Sequence, residues 1–488
     1  MKPLNTAALL PHQPPAVEHL SQVIERRGAA LDGSDTGIGK TFVGCGVAQK
    51  FDLPTLAVVP KIAISNWHDA AAHLGVEMDV LNWEMLRTGR TPFGWWDHPR
   101  VDKYKCAKCF EQVEVEDAGS GCRCNASGEH TLERIRKHNY GKFNWHNGIR
   151  FILFDEIHRG NARKSLNAEL VVAARRQGIP ALGLSATPAA SPLHFRALGY
   201  LLGLHELTGD AGYYAWSRHL RCGRHPRFKQ WAWLAPKAEQ PQIMANLSRE
   251  IFPGHGIRLR ADDIPGFPER RIQANLFDLD GYKRIDELYE EMREALVRLK
   301  ERKAADVDPK NPLTVELRCR QELELIKVPA VVELTQDYLA KGYAVAIFVN
   351  FSDTIAEVRA RLKCNCYIDG TQTGKPAVRQ AHIDKFQSNE ERVIVVNNQA
   401  GGECCNLHDI RGEYPVVGLV MPPNSAGSFR QVAGRLRRAG GKSIALYRVI
   451  FAAKTKEVEI HRRLARALDN IDALMDNDLV PDNLRDII

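Results

Sequence analysis

The chain lacks any apolar run near the ~18 residues that crossing a bilayer requires, and no charged-then-apolar leader opens it. A membrane span and a secretory signal are therefore not expected, and a soluble cytoplasmic protein is. Solenoid-type repeats and low-complexity tracts are also missing, which argues against an elongated array or a disordered linker. An excess of either sign of charge is small. Against 59 Asp and Glu stand 67 Lys and Arg, a net +8 that suits an anionic partner without demanding one. The 11 cysteines, in a chain without a leader, fit a reducing compartment, where clustered thiols are more often metal ligands than disulfides. The 488 residues give roughly two to four domains at ~100–200 residues each.

What is present centres on Ser34, Asp35, Thr36, Gly37, Ile38, Gly39, Lys40 and Thr41, read as SDTGIGKT. The apolar Ala29-Ala30-Leu31 precedes this stretch and Phe42 to Ala48 follows it, which predicts a loop between a strand and a helix. Gly37 and Gly39 let the backbone turn its N–H groups toward an anion, and the following helix adds the positive end of its dipole. On that reading Lys40 reaches the β- and γ-phosphates of a nucleotide and Thr41 holds Mg²⁺. Ser34 stands where the usual pattern has its first glycine.

Upstream, Leu9 to Gln13 opens a helix with Val17, Leu20 and Ile24 at helical spacing. Gln13 is either a purine-reading amide or a surface Gln at a helix start. Downstream, Thr55–Val59, Phe151–Phe154 and Ala181–Leu184 are uninterrupted apolar runs, as in parallel strands buried on both faces. A helix is expected over 62–74. The second of these strands ends in Asp155-Glu156-Ile157-His158 and the third in Ser185-Ala186-Thr187-Pro188. Ligands bind at the carboxyl ends of such strands, so Asp155 is placed to share the Mg²⁺ with Thr41, and Glu156 to polarise the attacking water.

Two cysteine pairs, Cys106-x-x-Cys109 and Cys122-x-Cys124, are separated by 12 residues. Each pair sets two thiolates on one tight turn, the arrangement tetrahedral Zn²⁺ needs. The second pair is C-x-C, which leaves open whether His130 replaces one thiolate. Gln112 to Glu116 alternates like one strand of a ribbon. Between Tyr213 and Trp233, Arg218, Arg221, Arg224, Arg227 and Lys229 interleave with Trp216, Trp231 and Trp233. That composition is either a nucleic-acid surface or a charged face over a half-buried aromatic cluster.

SDTGIGKT, VVPK, DEIH and SATP, in chain order, resemble motifs I, Ia, II and III of superfamily 2 helicases and translocases. The second half agrees. Ala344 to Asn350 looks like motif IV, and Ile368-Asp369-Gly370 with Phe386-Gln387 resembles the IDG and FQ signposts of the Swi/Snf branch. Ala400 to Leu407 looks like motif V, with Cys404 in place of a usual glycine, and Gln431 to Arg438 matches Q-x-x-G-R-x-x-R of motif VI. The compact size and the NWEML segment are most similar to small phage-encoded members, whose setting would be the host cytoplasm. Motif VI ends in RLRR, unlike the chromatin remodellers.

The resemblance implies an α/β fold of two RecA-like parallel-sheet domains in tandem, with a small zinc-ribbon-like insertion in the first. The expected division is 1–270 for the first domain, 100–146 for the inserted zinc module, 271–340 for a linking helical segment and 341–488 for the second domain. ATP, Mg²⁺ and Zn²⁺ are the implied cofactors. Lys40, Asp155, Glu156, Arg435 and Arg438 would be catalytic, and Gln13, the loop 34–41 and Gln431 would bind nucleotide. Arg435 and Arg438 would neutralise charge on the γ-phosphoryl group when the cleft closes. The implied activity is ATP-driven movement along nucleic acid, DNA by preference and single-stranded or forked, in replication, recombination or repair, with other proteins of those processes as possible partners. The alternatives are an ATPase that displaces bound protein without parting strands, or a switch that does not move.

Overall fold

The computed structural model describes residues 2–89, 91–97, 103–106, 112–114, 132–135, 141–163, 165–226, 230–301, 312–372, 375–398, 405–423, 425–467 and 479. The chain divides into two compact units, residues 1–33 with 43–257 and residues 34–42 with 258–488. Each unit is built on one six-stranded parallel sheet.

In the first unit the strands are β1 (Ala29–Asp32), β2 (Thr55–Val59), β3 (Asp79–Asn82), β4 (Phe151–Asp155), β5 (Ala181–Leu184) and β6 (Gly256–Ile257). Their order across the sheet is β6-β1-β5-β4-β2-β3, with every pairing parallel. The apolar runs of β1, β2, β4 and β5 are buried along their length, because helices cover both faces and no residue of these strands needs to face water. The order places β1, β5 and β4 side by side. Their carboxyl ends, Asp32, Leu184 and Asp155, line up in register.

Helix α1 (Gln13–Arg27) begins with two prolines in its first turn, where a missing N–H costs nothing, and buries Val17, Leu20 and Ile24 as its spacing predicts. Helix α2 (Lys40–Phe51) follows the phosphate loop, and α3 (Ile64–Leu74) follows β2. The helix expected from residue 62 thus starts two residues later. Lys61–Ala63 forms a 3₁₀ turn after Pro60, since the chain must first bend out of the strand. Off this sheet, Lys103–Cys106 pairs antiparallel with both Gln112–Glu114 and Leu132–Ile135, and Gly94–Asp97 pairs with Lys142–Trp145.

The second sheet contains β7 (Arg270–Phe277), β8 (Ala344–Val349), β9 (Tyr367–Ile368), β10 (Val393–Asn397), β11 (Val416–Val420) and β12 (Ala445–Ala452), ordered β7-β12-β11-β8-β10-β9 and parallel throughout. Part of the expected linking segment belongs to this core. Strand β7 runs along β12, and helix α4 (Tyr282–Glu301) buries Ile285, Leu288, Met292 and Leu296 in the same core, each worth roughly 1.5–3 kcal/mol. Glu324, buried below it, accepts from the Asn350 and Phe351 amides (2.9 and 3.2 Å) and so fixes where β8 ends. Burial raises the Glu324 carboxyl above the usual carboxylate range, and the Asn350 side chain and amide pull it back. The pair of RecA-like sheets that the motifs imply is thus the architecture found.

Candidate active site

The loop after β1 is built as its glycines require. Gly37 and Gly39 have φ of 87° and 93°, values that side chains with a Cβ rarely adopt. A Cβ on Gly37 would also lie 2.3 Å from the Arg437 carbonyl oxygen. Ile38 is buried and anchors the loop, and α2 begins at Lys40 with its amides at the loop. The serine at the first glycine position has its own reason. Its hydroxyl accepts from the Leu259 amide (3.0 Å), while Asp35 bonds the Leu259 carbonyl (3.0 Å) and the Ala261 amide (2.9 Å), so the loop is stitched to the chain after β6. Lys40 Nζ donates to the carbonyls of Ser34 (2.8 Å) and Asp35 (2.9 Å), arched over the hollow that a phosphate would fill. Thr41 is half-buried in the first turn of α2.

At the carboxyl end of β4 the two Asp155 oxygens have separate duties. Oδ2 accepts from the Trp67 indole N–H (2.9 Å) and Oδ1 from the Glu156 amide (3.0 Å). The Trp83 indole donates to the Asp155 carbonyl (3.0 Å) while its ring stacks on Phe154 at 5.5 Å. Glu156 then sits at φ 48°, ψ 51°, a left-handed conformation that is strained for a glutamate and turns its side chain back toward His158. His158 Nδ1 lies 3.2 Å from Glu156 Oε2 and 3.0 Å from Ser185 Oγ. Ser185 is fully buried after β5 and also accepts from the Thr187 amide (3.2 Å). The DEIH and SATP segments are therefore one hydrogen-bonded assembly. Trp67, Trp83, His158 and Ser185 were not expected as site residues, and the signal for two of them was plain: SATP and DEIH both end buried strands.

Gln13 is buried at the start of α1, and its amide oxygen accepts from the Leu10 N–H (2.9 Å), so at least part of its amide closes a turn. In the second unit the helix Ala426–Ala433 is capped by the Ser425 side chain, which accepts from the Ser428 amide (3.1 Å), and it carries Gln431 half-buried. Beyond it the chain passes the phosphate loop, with the Ala439 amide on the Gly37 carbonyl (3.0 Å). The three arginines of this run differ. Arg437 is spent on structure, on the Pro268 carbonyl (2.8 Å) and the Asp262 carboxylate. Arg435 is only 5% exposed, yet its Nε has no hydrogen-bond partner among the described residues. A buried cation in that state suits an anionic ligand. Arg438 stands beside His408, whose imidazole is pushed down to about 4, first by burial and then by that guanidinium, with Asp409 pulling the other way.

The sequence-expected residues thus fall into two groups. Gln13, Asp155 and Glu156 belong to the first unit. Ser34 to Thr41, Gln431, Arg435 and Arg438 belong to the second. The Thr41 hydroxyl and the Asp155 carboxylate are hard oxygen donors of the kind Mg²⁺ takes. Of the expected zinc ligands, Cys109, Cys122 and Cys124 lie outside the described residues, as do 400–404 of the motif V stretch, and Cys106 ends a strand. Among the described residues no group of His, Cys, Asp and Glu is arranged to hold a metal, and no helix is long and apolar enough to cross a membrane.

Over 484 residues the chain is 31% identical to a protein of Acanthamoeba polyphaga mimivirus that carries the name ATP-dependent RNA helicase, covering 97% of this chain and 85% of that one. No family model matches. Solved structures with a similar course include the Hef helicase domain of Pyrococcus furiosus (13% identity, 95% of this chain and 99% of that one, TM-score 0.43). Another is S. cerevisiae Dbp5 bound to RNA and ADP BeF3 (10% identity, 94% and 87%, TM-score 0.43). At those TM-scores the two structures add no weight beside the viral relative.

Proposed function

From the premise that this chain belongs to the ATP-dependent helicases of superfamily 2, and is an ATP-hydrolysing enzyme, we propose that it couples hydrolysis to movement along a nucleic-acid strand. The observation that carries this reading is the sheet order of the first unit. It brings the end of β1, from which the phosphate loop springs, the Asp155–Glu156 pair after β4 and Ser185 after β5 to one edge. Metal ligation and activation of water need such polar groups at the carboxyl ends of neighbouring parallel strands.

In this reading the amides of 36–41 cradle the phosphates, and Lys40 leaves the Ser34 and Asp35 carbonyls for the β- and γ-phosphates. Mg²⁺, held by Thr41 and Asp155, would neutralise phosphate charge when bound. Glu156 orients the water. Its partner His158 connects it to Ser185, so a shift of the SATP segment changes the set of the glutamate. Gln13 and Gln431 bind nucleotide, and Arg435 and Arg438 meet the transferring group. The opposite-charge partner of Arg435 is then the substrate itself, which accounts for its orphaned Nε.

We place the chain in the Swi/Snf-like branch, near small phage-type members, on Ile368-Asp369-Gly370 and Phe386-Gln387. We propose the division at 1–270, 100–146, 271–340 and 341–488, with the helical segment packed into the core of the last part. We read Cys106, Cys109, Cys122 and Cys124 as a Zn²⁺ site, supported by the antiparallel pairing of Lys103–Cys106 with Gln112–Glu114, two strands that flank Cys109 in the sequence. DNA is the track favoured by the sequence reading, whereas the viral relative is named for RNA. The discriminating experiment is the ATPase rate with single-stranded, duplex and forked DNA and with RNA, alongside strand separation on the forked substrate. Stimulation with separation supports the helicase, stimulation by duplex without separation supports protein displacement, and hydrolysis indifferent to nucleic acid refutes both.

A further inference from the structure

A cavity of about 880 Å³ in the first unit is lined by none of the residues assigned to the ATP site. Its walls include Arg163, Arg196, Arg218 and Arg224, with Tyr214 and Trp231, and among the described residues of the lining none is acidic. The four arginines come from separate places: the segment after DEIH, the helix Phe195–Leu202, the helix Tyr213–His219 and the strand Cys222–Arg224. That strand pairs with Trp231–Trp233 in a hairpin, which delivers Trp231 opposite Arg224.

The rings are held before any ligand arrives. The Trp231 indole donates to Ser217 Oγ (3.2 Å), Tyr214 meets its ring edge-on at 4.9 Å, and the Arg218 guanidinium lies 5.7 Å over it. Arg163 donates to the Trp231 carbonyl (3.2 Å) and Arg196 to the Arg163 carbonyl (3.0 Å), so two of the four cations are positioned by backbone. Nearby arginines have carboxylates: Arg221 pairs with Glu239 at 3.7 Å and Arg175 with Glu206 at 2.7 Å. Among the described residues none of the four cavity arginines does. Gathering four like charges round one space costs free energy unless an anion shares it.

The chemistry selects the anion. Guanidinium forks match phosphate oxygens, and an aromatic face beside them takes an unpaired base. The space lies within the ~300–1,000 Å³ of organic-ligand sites, far more than a single phosphate needs. A duplex keeps its bases stacked and could not use the rings. We propose that this cavity is an accessory site for single-stranded nucleic acid, gripping backbone phosphates with Arg218 and Arg224 at its mouth and stacking a base on Tyr214 or Trp231. The proposal rests on the reading of the chain as a nucleic-acid motor and adds a second grip outside the motor motifs.

The test uses the full chain, an end-labelled oligothymidylate and fluorescence anisotropy across a salt series. Arg218 and Arg224 are exposed, so the double variant Arg218→Gln with Arg224→Gln should fold, which a thermal melt checks. Removing two phosphate contacts should flatten the slope of log K against log salt by about 1.4, at ~0.7 per contact for single strands, and weaken binding about tenfold. Tyr214→Ala, also exposed, should weaken binding several-fold and leave the slope unchanged, because stacking releases no counterions. Wild-type affinity and slope in the double variant, with a wild-type protein that binds the oligonucleotide, would overturn the site and spare the motor reading. If the double variant instead loses only the binding of thymidine monophosphate, the cavity serves a free nucleotide and the proposal is wrong. A wild-type protein that neither binds the oligonucleotide nor is stimulated by it would refute the motor reading itself.

Discussion

Trp67→Phe isolates one hydrogen bond at the hydrolytic centre. Trp67 is 1% exposed, and its indole donates to Asp155 Oδ2 at 2.9 Å. Phenylalanine keeps an aromatic ring in the place and removes the donor. A hydrogen bond to a charged acceptor is worth about 1.5–3 kcal/mol, and the void left by the smaller ring costs roughly 1 kcal/mol more. The expected loss of stability is therefore about 2.5–4 kcal/mol. The functional effect is separate. An outer partner that orients a metal-binding carboxylate typically contributes 10–100-fold in metal affinity. Half-saturation of the ATPase by Mg²⁺ should then rise at least about tenfold in the variant. Trp83→Phe is the control, because the Trp83 indole bonds the Asp155 carbonyl (3.0 Å) and not the carboxylate. It should destabilise by about 1.5–2.5 kcal/mol and leave the Mg²⁺ requirement where it was. Magnesium titrations of both variants, with urea unfolding in parallel, decide the matter. Equal Mg²⁺ shifts in the two, or none in Trp67→Phe, would refute the assignment of Asp155 as the metal carboxylate held by Trp67.

Lys40→Ala should abolish both nucleotide binding and turnover, whereas Glu156→Gln should bind ATP and fail to turn it over; equilibrium binding of a fluorescent ATP analogue beside steady-state ATPase separates the two. Arg435→Ala and Arg438→Ala should each retain oligonucleotide affinity and lose ~10³–10⁵ of stimulated ATPase, and normal hydrolysis with lost affinity would move them from the fuel site to the track. His408 is protonated near 6.5 when unfolded but only at about 4 when folded, so between these values the unfolded chain binds more protons. Its contribution is whole above pH 6.5 and is lost as the pH falls toward 4, by at most about 3 kcal/mol; melting temperatures measured from neutral to acid pH should fall less steeply in His408→Gln. Cys106→Ser with Cys109→Ser should eliminate bound zinc by elemental analysis, and a full zinc content in that variant would remove the metal assignment.

Much of the architecture is legible in short windows of sequence. A strand buried on both faces must be apolar along its whole length, so Thr55–Val59, Phe151–Phe154 and Ala181–Leu184 announce a parallel sheet without any partner being known. The phosphate loop is equally local: Gly37 and Gly39 are needed for their own φ, and Lys40 starts the helix that follows. Motif order then fixed which strands deliver which carboxylates. The zinc block shows the limit of that method, since the spacing of Cys106, Cys109, Cys122 and Cys124 names a ligand set and nothing about its surroundings.

Other features depend on which strand lies beside which, and no local pattern carries that. Trp67 reaches Asp155 across 88 residues because β2 and β4 are neighbours, and Ser34 earns its place in the loop through a bond to Leu259, 225 residues away. In RLRR the sequence offers three like arginines. Burial and partners separate them, with Arg437 tied to Asp262 and Arg435 enclosed with an orphaned nitrogen. The arginine-walled cavity is the same lesson on a larger scale. Half of its cations stood in a recognisable basic and aromatic run, but Arg163 and Arg196 join them only through the fold. Composition determined that charge and rings were available; the tertiary structure decided that they face one another, because turn chemistry and periodicity act over a few residues whereas electrostatic focusing acts through space.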